Sequence, residues 1–182
     1  MRKWILWTAL GTLVVAVVVH IVTLVAIPIV IMNAAMAKFP VNELSMGPKT
    51  TAENRLVVRP CPDLVYSVAS YDVSKGPVLF TAQVPVDTYW SVSLYNQDTD
   101  NYFVINDRQI KSNPYGLLLV KQGMKYEDPD NAQVVVTPGD RGLLLVRHLL
   151  VSDDKMDELV EIQKQASVKV YSTQAQTSTS SN

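Results

Sequence analysis

A stretch of 34 residues without one charged side chain, residues 4–37, constrains this chain more than any other feature of its sequence. Within it, residues 5–32 are mostly Val, Ile, Leu and Ala, and as an α-helix they would extend about 42 Å. The hydrocarbon core of a bilayer is only about 30 Å thick. We therefore predict a transmembrane helix within residues 1–37.

The same segment carries one feature of a cleaved signal peptide. Ala35-Met36-Ala37 is a small-x-small triplet of the kind that is cleaved, and Pro28 is placed to break a helix just before it. However, the apolar region of a signal peptide is about 7 to 15 residues long, so the length favours an uncleaved signal anchor. A secreted protein cleaved after Ala37 is the alternative.

The charges that flank the apolar segment predict its orientation. Arg2, Lys3 and the terminal amine precede it, and by the positive-inside rule they place the N-terminus in the cytoplasm and the rest of the chain on the other side. His20 lies within the span, where ionisable residues are often functional. Because the span has no other ionisable residue, His20 cannot form a proton relay alone.

The rest of the chain has the composition of one globular domain. Charged residues make up 18% of the whole chain, below the roughly 25% of soluble domains, and the uncharged segment accounts for most of this deficit. Arg2 and Lys3 aside, 14 basic and 17 acidic side chains remain. This balance does not indicate a nucleic-acid-binding protein that neutralises phosphates.

Alternating apolar and polar residues from Leu56 onward predict β-strands. Residues 78–86 are the clearest case, since every second residue is apolar there. The predicted strands are 64–73, 78–86, 88–95, 101–105, 117–121, 133–137, 142–148 and 168–171. No crossover helices separate the first seven, so we predict a mainly β fold, an antiparallel β-sandwich or an open barrel.

One helix is predicted near the C-terminus of the β domain. Ser152 is a suitable N-cap, and the apolar residues that follow at helical spacing continue to about Ala166. The predicted organisation is therefore an anchor at 1–37, a linker at 38–54, a β domain at 55–171 and a disordered tail at 172–182. The tail is rich in Ser, Thr and Gln and has no apolar residues that would bury a core.

The supply of catalytic side chains in the domain is small. His148 is its one histidine and Cys61 its one cysteine, which excludes zinc sites with several such ligands from a single chain. No nucleophile-elbow, P-loop or dinucleotide-binding motif occurs. We therefore predict no metal and no cofactor, and a non-enzymatic role is favoured over an enzyme.

Several motifs in the domain resemble one known family. Residues 59–67 read Arg-Pro-Cys-Pro-Asp-Leu-Val-Tyr-Ser, residues 71–78 contain an Asp-Val-Ser-Lys-Gly-Pro turn, and residues 89–95 form an aromatic strand. In this order and spacing they resemble the bacterial and archaeal family called domain of unknown function 1254 (DUF1254). Residues 98–103 also fit its pattern. Cys61 departs from the pattern, since asparagine is common there in the family.

The resemblance extends over residues 56–150 and implies a β domain with no established reaction. Many longer relatives continue into a second domain, the domain of unknown function 1214 (DUF1214), and this chain stops before one would fit. The resemblance therefore implies a separate polypeptide that carries DUF1214 as a partner. With the orientation above, it also implies a single-pass protein of the bacterial inner membrane whose domain lies on the periplasmic side.

The motif residues form the candidate site. The candidate ligand-binding residues are Arg59, Asp63, Tyr66 and Asp72, and the residues expected to form a structural turn are Gly76 and Pro77. For the first three, a polar network that stabilises the entry into a strand is favoured over a ligand site.

Two hypotheses about function follow. The first is a non-catalytic, membrane-tethered domain of the cell envelope that pairs with a DUF1214 protein. The second is a binding or hydrolytic module for a glycan or another small polar ligand, in which Asp63, Tyr66 and Asp72 act together with a surface formed by Tyr89 and Tyr95. The second hypothesis requires Asp63 and Asp72 to share a cleft.

Overall fold

The structure is a computed structural model that describes residues 2–127, 129 and 131–172. Helix α1 spans Arg2–Met36, a 3-10 turn spans Asp153–Lys155, and helix α2 spans Met156–Lys164. Strands β1 to β9 are, in chain order, Ser45–Met46, Leu64–Asp72, Val78–Ala82, Trp90–Tyr95, Asn101–Asn106, Tyr115–Lys121, Ala132–Thr137, Arg141–Leu149 and Ser167–Val170. The predicted disordered tail lies, apart from Ser172, outside the described residues.

The strands form two sheets. The five-stranded sheet has the order β1-β2-β8-β4-β5, and the four-stranded sheet has the order β7-β6-β3-β9. All neighbouring strands are antiparallel except β6 and β7, which are parallel. The prediction of a mainly β fold with one helix near the end of the domain is therefore confirmed.

The core lies between the inner faces of the two sheets. Alternate residues of each strand point into it, as the period-2 pattern predicted. Trp90 of one sheet packs edge to face against Tyr115 of the other, with ring centroids 5.7 Å apart. The residues of this core with no exposed surface include Ala69, Tyr71, Val78, Phe80, Val92, Leu94, Leu117, Leu119, Leu144 and Val146. Burying a large apolar side chain stabilises a fold by about 1.5–3 kcal/mol.

Helix α2 closes one end of the sandwich. Leu159 packs with Val65 of β2 and with Leu150, which follows β8. The Gln163 amide Nε2 donates a hydrogen bond of 2.9 Å to the Ser67 hydroxyl, and the glutamine is 2% exposed. The contact between α2 and β2 therefore combines apolar packing with a hydrogen bond between two buried polar side chains.

Strand β3 ends earlier than the apolar alternation indicated. The prediction of a strand at 78–86 is wrong beyond Ala82, because the Asn113 side chain takes up the next backbone groups. Its Oδ1 accepts from the Val84 N–H at 3.0 Å, and its Nδ2 donates to the Val84 carbonyl at 2.8 Å. Val86, on the loop that follows, is 78% exposed.

The segment 38–54, predicted to be a linker, lies along the edge of β2. The Asn42 N–H donates to the Ser70 carbonyl at 2.7 Å, and β1 pairs with Ser67 and Val68. Lys49 forms a salt bridge with Asp153. The segment is thus part of the domain and does not hold it at a distance, because β2 offers a row of unpaired backbone groups that this segment satisfies.

Helix α1 continues through Pro28 to Met36 without a break. Its side chains are exposed along most of its length, but Met32 and Met36 are only 6% and 7% exposed, since this end of the helix contacts β8. By length and composition α1 is able to cross a membrane, a test that signal sequences also pass.

Candidate functional site

The Tyr66 side chain stabilises the turn that precedes β2. It is 6% exposed, and its hydroxyl oxygen accepts a hydrogen bond of 2.8 Å from the Cys61 N–H. The Leu64 N–H donates to the Cys61 carbonyl at 3.2 Å and closes the same turn. The Tyr66 hydroxyl is therefore bound to the backbone of its own motif.

Arg59 and Asp63 flank this turn and are both exposed. Arg59 has a φ of 52°, in the left-handed region, and lines a surface pocket of about 340 Å³ together with Arg55 and two threonines. Asp63 does not line that pocket. Its backbone carbonyl accepts from the Leu150 N–H at 2.8 Å. Arg59 thus lies in a basic pocket, whereas the backbone carbonyl of Asp63 joins the start of β2 to the end of β8.

Asp72 lies at the opposite end of β2. Its Oδ2 is 3.2 Å from the Arg141 Nε, and its Oδ1 accepts from the Ser74 N–H at 2.9 Å. Partial burial acts to raise the pKa of Asp72, but the hydrogen bonds from Ser74 and the charges of Arg141 and Lys75 outweigh it, so the pKa is below its usual value. The carboxylate fixes the turn after β2.

The structure does not bring Asp63 and Asp72 together. They are nine residues apart along an extended chain, which corresponds to about 30 Å at 3.3 Å per residue. Carboxylates that hydrolyse a glycosidic bond are about 5 to 10 Å apart. These two aspartates therefore do not form a hydrolytic pair within one chain.

Gly76 and Pro77 lie in the turn between β2 and β3. The Pro77 carbonyl accepts from the Tyr171 N–H at 2.7 Å, which ties the turn to the end of β9. A Cβ atom added at Gly76 would meet only the Val170 side chain at 3.6 Å, an ordinary contact, and the φ of Gly76 is not in the left-handed region. The turn is present, but it does not require glycine at this position.

Tyr89, which precedes β4, and Tyr95 at its end both hydrogen-bond to neighbouring side chains on the outer face of the sheet. The Tyr89 hydroxyl donates to the Ser91 hydroxyl at 2.8 Å, and the Arg147 guanidinium donates to the Tyr95 hydroxyl at 3.1 Å. Ser91 and Ser93 have no exposed surface. The polar atoms expected to face a sugar are therefore engaged within the domain.

His148 lies inside the sandwich. It sits on β8 between Val65 of β2 and Trp90 of β4, and it is 2% exposed. Burial lowers the pKa of His148 to about 4, so the imidazole is neutral at pH 7. Its Nδ1 and the Trp90 Nε1 are both buried without a hydrogen-bond partner among the described residues. Cys61 is exposed, so His148 cannot act as its base.

An apolar groove at one end of the sandwich was missed by the sequence analysis. It has a volume of about 490 Å³ and lies between the β3–β4 loop and α2, lined by Val84, Pro85, Val86, Leu150, Leu159 and Ile162 among others. On its rim, Val86 and Val151 are 78% and 69% exposed. The alternating pattern that assigned Val86 to a strand concealed this surface, although Pro85 argued against a strand interior there.

Among the described residues, no group of three or more His, Cys, Asp or Glu side chains is placed to hold a metal ion. The candidate polar residues instead lie in separate places: Arg59 in the basic pocket, Asp72 at the far end of β2 and His148 in the core.

The fold and these surfaces define a β-sandwich domain that follows a long apolar helix. The family model described as protein of unknown function (DUF1254) matches residues 41–170, and the chain belongs to this family. The match begins within the segment 38–54, in agreement with the pairing of that segment along β2.

The solved structures that are similar to this one include those of two bacterial proteins. The VPA0106 protein from Vibrio parahaemolyticus is 16% identical with a TM-score of 0.59, and the match covers 74% of this chain and 31% of that protein. A putative uncharacterized protein from Burkholderia cenocepacia is 15% identical with a TM-score of 0.49, over 72% of this chain and 34% of that protein. The chain therefore spans about a third of the length of either protein. No curated protein sequence matched.

Proposed function

We propose that this chain is a membrane-anchored, non-catalytic interaction domain that pairs with a separate polypeptide carrying the DUF1214 domain. The observation that carries the proposal is the apolar groove, whose rim exposes Val86 and Val151. Exposed apolar side chains grouped around a groove are typical of surfaces that bind another protein. A partner side chain seated between these valines would bury both of them.

The arrangement of the polar residues supports binding over catalysis. A general acid and a base must reach the same substrate. Here Asp72 is bound in an ion pair and His148 is enclosed in the core, so neither is presented to a substrate next to Arg59. In the proposal, the second domain of the longer relatives is supplied by another chain.

The anchor would hold both polypeptides at the same surface. The burial of Met32 and Met36 against the domain supports a retained helix, because cleavage after Ala37 would remove this contact. With Arg2 and Lys3 in the cytoplasm, the domain lies on the periplasmic side of a bacterial inner membrane.

The interaction is tested on the full-length chain in its native membrane. Val86→Glu together with Val151→Glu places two charges on the groove rim, and Val58→Glu is the matched control because Val58 is 90% exposed and does not line the groove. After mild cross-linking and purification, mass spectrometry identifies the attached protein. We expect a DUF1214 protein with the unmodified chain and with Val58→Glu, and its loss with the double variant.

Three outcomes would contradict the proposed pairing. These are recovery of the unmodified chain as a free monomer, an attached protein without a DUF1214 domain, and equal attachment of the double variant and the control. Folding of each variant is checked by circular dichroism, since all three substituted valines are exposed and should leave the sandwich intact.

The anchor and its orientation are tested separately. We expect the protein to stay in the membrane pellet after alkaline carbonate extraction, and its intact mass to include residues 1–37. A C-terminal alkaline phosphatase fusion should be active, since this enzyme requires the periplasm, and a C-terminal green fluorescent protein fusion should be dark. A mature chain that begins at Lys38 would instead establish the secreted alternative.

The pocket around Arg59 favours a second candidate function, the binding of a small polar ligand. Arg55 and Arg59 place two positive charges in this pocket, and paired cations suit an anionic group, while the Thr50 and Thr51 hydroxyls donate to the Leu64 carbonyl and the Glu53 carboxylate. Titration with inorganic phosphate, followed by calorimetry, tests this function. Binding that Arg59→Ala abolishes would support it, and no heat of binding at millimolar phosphate would reject it.

A further inference from the structure

The free edge of the five-stranded sheet lacks the residues that usually prevent strand pairing. β5 is the last strand of this sheet and pairs with β4 alone. Its sequence, Asn-Tyr-Phe-Val-Ile-Asn, contains no charge and no proline, whereas exposed edges usually carry lysine or proline. At the other edge of the sheet, the segment 38–54 covers β2. β5 is thus an uncharged, uncovered edge.

The hydrogen bonds between β4 and β5 show which backbone groups this edge offers. The Asp107 N–H donates to the Trp90 carbonyl at 3.0 Å, so by alternation Ile105 and Phe103 also face β4. The N–H and C=O of Val104 consequently point away from β4. Neither group has a hydrogen-bond partner in the part of the chain that the structure describes.

A side chain closes one end of this free edge, and a backbone irregularity marks the other. At the C-terminal end, the next outward N–H, that of Asn106, is satisfied by the Gln109 Oε1 at 3.2 Å. At the N-terminal end, the register with β4 shifts at Leu94 and Tyr95, which is the mark of a β-bulge. The central residues of β5 are therefore the part that is free to pair.

The edge also borders open space. Three consecutive residues, Phe103, Val104 and Ile105, line a groove of about 570 Å³, and residues 131–133 contribute to its opposite wall. Consecutive residues of a strand point to opposite faces of the sheet, so a groove that touches all three runs along the edge itself. Val104 is 52% exposed there.

We propose that β5 pairs with β5 of a second copy of this chain, antiparallel and about a two-fold axis at Val104. The outward N–H and C=O of Val104 then exchange two hydrogen bonds with the same groups of the second copy, which is the pairing that a two-fold axis permits. The two five-stranded sheets become one continuous sheet. This dimer goes beyond the proposed function and does not require the DUF1214 partner.

The register about Val104 places apolar side chains opposite one another. Phe103 of each copy lies opposite Ile105 of the other, on the face that continues the core, and Val104 lies opposite Val104 on the outer face. Aromatic and β-branched side chains facing each other across two strands stabilise the pair. No like charges meet within the strand, since β5 has no charged residue.

The flanks of β5 are complementary in charge. Asp98 and Asp100 precede the strand, and Arg108 and Lys111 follow it, all four exposed; Asp107, which also follows it, is half-buried and its Oδ1 accepts from the Trp90 N–H of β4 at 3.3 Å. In an antiparallel pair the N-terminal flank of one copy lies beside the C-terminal flank of the other, so acid meets base at both ends. Within the described ranges, none of these four side chains forms a salt bridge.

The contact is small, and the anchor matters for that reason. Two strands of six residues bury less than the roughly 1,200–2,000 Å² of a typical stable interface. Copies held in one membrane meet at a much higher effective concentration than copies in solution, which allows a small contact to form.

The dimer is therefore tested with the full chain in phosphatidylethanolamine and phosphatidylglycerol vesicles. Vesicle flotation first shows whether the chain is membrane-bound, so failure of the anchor is seen separately.

Cross-linking at single cysteines tests the position of the contact. In a Cys61→Ser background, which removes the exposed native thiol, Val104→Cys lies on the proposed axis. Val136→Cys is the control, since Val136 is 56% exposed on β7, the edge of the other sheet. With a short bismaleimide we expect a covalent dimer from Val104→Cys and monomer from Val136→Cys. Only monomer from both variants, or equal dimer from both, would overturn the proposal.

Charge reversal tests the antiparallel register without altering the strand. Asp100→Arg and Arg108→Asp each place like charges together at both ends, so we expect each to weaken dimerisation in vesicles by about tenfold, as measured by energy transfer between labelled copies. The double variant Asp100→Arg with Arg108→Asp should recover the affinity of the unmodified chain. A double variant as weak as either single one, or single variants without effect, would refute this pairing.

Discussion

Gly142 is the most tightly enclosed glycine of the chain. The Tyr71 hydroxyl donates to the Tyr95 carbonyl at 3.3 Å and shares a hydrogen bond of 2.9 Å with the Tyr102 hydroxyl. Burial raises the pKa of Tyr71 to about 12, against the opposing effect of the Tyr102 hydrogen bond, so the phenol stays protonated at any physiological pH. β8 passes directly beside these groups at Gly142, where a Cβ atom would overlap both the carbonyl and the hydroxyl.

We predict that Gly142→Ala lowers the free energy of unfolding by about 2 to 3 kcal/mol, because the new methyl group must displace a backbone carbonyl and a buried tyrosine. Urea unfolding of the full chain in detergent measures this loss. Gly139→Ala is the control, since a Cβ there meets nothing within 4 Å. Equal stability of the two variants would show that the β8 backbone yields easily at Gly142.

The buried His148 makes the stability of the domain depend on pH. Its pKa is about 4 in the folded domain and about 6.5 in the unfolded chain, so the unfolded state binds the additional proton between these values. Stability is therefore complete above pH 6.5 and falls as the pH decreases toward 4, by about 3 kcal/mol in total. Urea unfolding at pH 7.5 and pH 4.5 measures the slope. His148→Leu, which has no titrating group, should lack this component, and an unchanged slope in that variant would contradict the assignment.

At the scale of elements, residue patterns predicted most strand positions, because one face of each strand is buried and the other is more polar. The strand predicted at 64–73 spans Leu64–Asp72, and that at 142–148 spans Arg141–Leu149. The errors lie where a side chain replaces a backbone partner, as Asn113 does beside Val84. Pro85 was the one local sign that the strand ends there, and the pairing with Asn113 itself has no local signature.

The candidate site was harder to predict than the strands, because it depends on which ends of strands meet. The glycan hypothesis required Asp63 and Asp72 to share a cleft, but they lie at opposite ends of β2. The groove beside Val86 arises from a loop and a helix that are far apart in the sequence. His148 lies in the core because it shares the inward face of β8 with Leu144 and Val146, a spacing of two that the sequence shows.

Asn42 acts as an additional strand partner for the end of β2. Its Oδ1 accepts from the Asp72 N–H at 2.9 Å, its Nδ2 donates to the Asp72 carbonyl at 3.0 Å, and its φ of 55° is left-handed. We predict that Asn42→Gly, which tolerates this φ, costs about 1 to 2 kcal/mol for the two hydrogen bonds. Asn42→Ala should cost about 1 kcal/mol more, since alanine is strained there.

Thermal unfolding of the two Asn42 variants separates the two contributions. If both were as stable as the unmodified chain, the pairing of segment 38–54 with β2 would not contribute to the stability of the domain. If Asn42→Ala equalled Asn42→Gly, the backbone strain at this position would be negligible.

At the scale of the whole molecule, the helix and the sandwich are joined by more than the polypeptide chain. Met32 and Met36 are one helical turn apart, so they lie on the same face of α1, and both are buried where α1 contacts β8. The segment that follows runs along the edge of β2. In the proposed membrane protein, the domain would therefore have a fixed orientation relative to its anchor, which restricts the directions from which a partner approaches.

The burial of Met32 and Met36 provides a test of whether α1 packs against the domain or only tethers it. We expect Met32→Gln with Met36→Gln to lower the free energy of unfolding of the domain in detergent by about 2 kcal/mol, because two buried apolar side chains become polar. Ala34→Gln is the control, since Ala34 lies in the same turn but is exposed. Loss of stability in the double variant alone would show that the end of α1 is part of the folded domain, and that cleavage after Ala37 would weaken it. Equal stability of all three proteins would mean that the helix only tethers the domain, and only its length would then favour its retention.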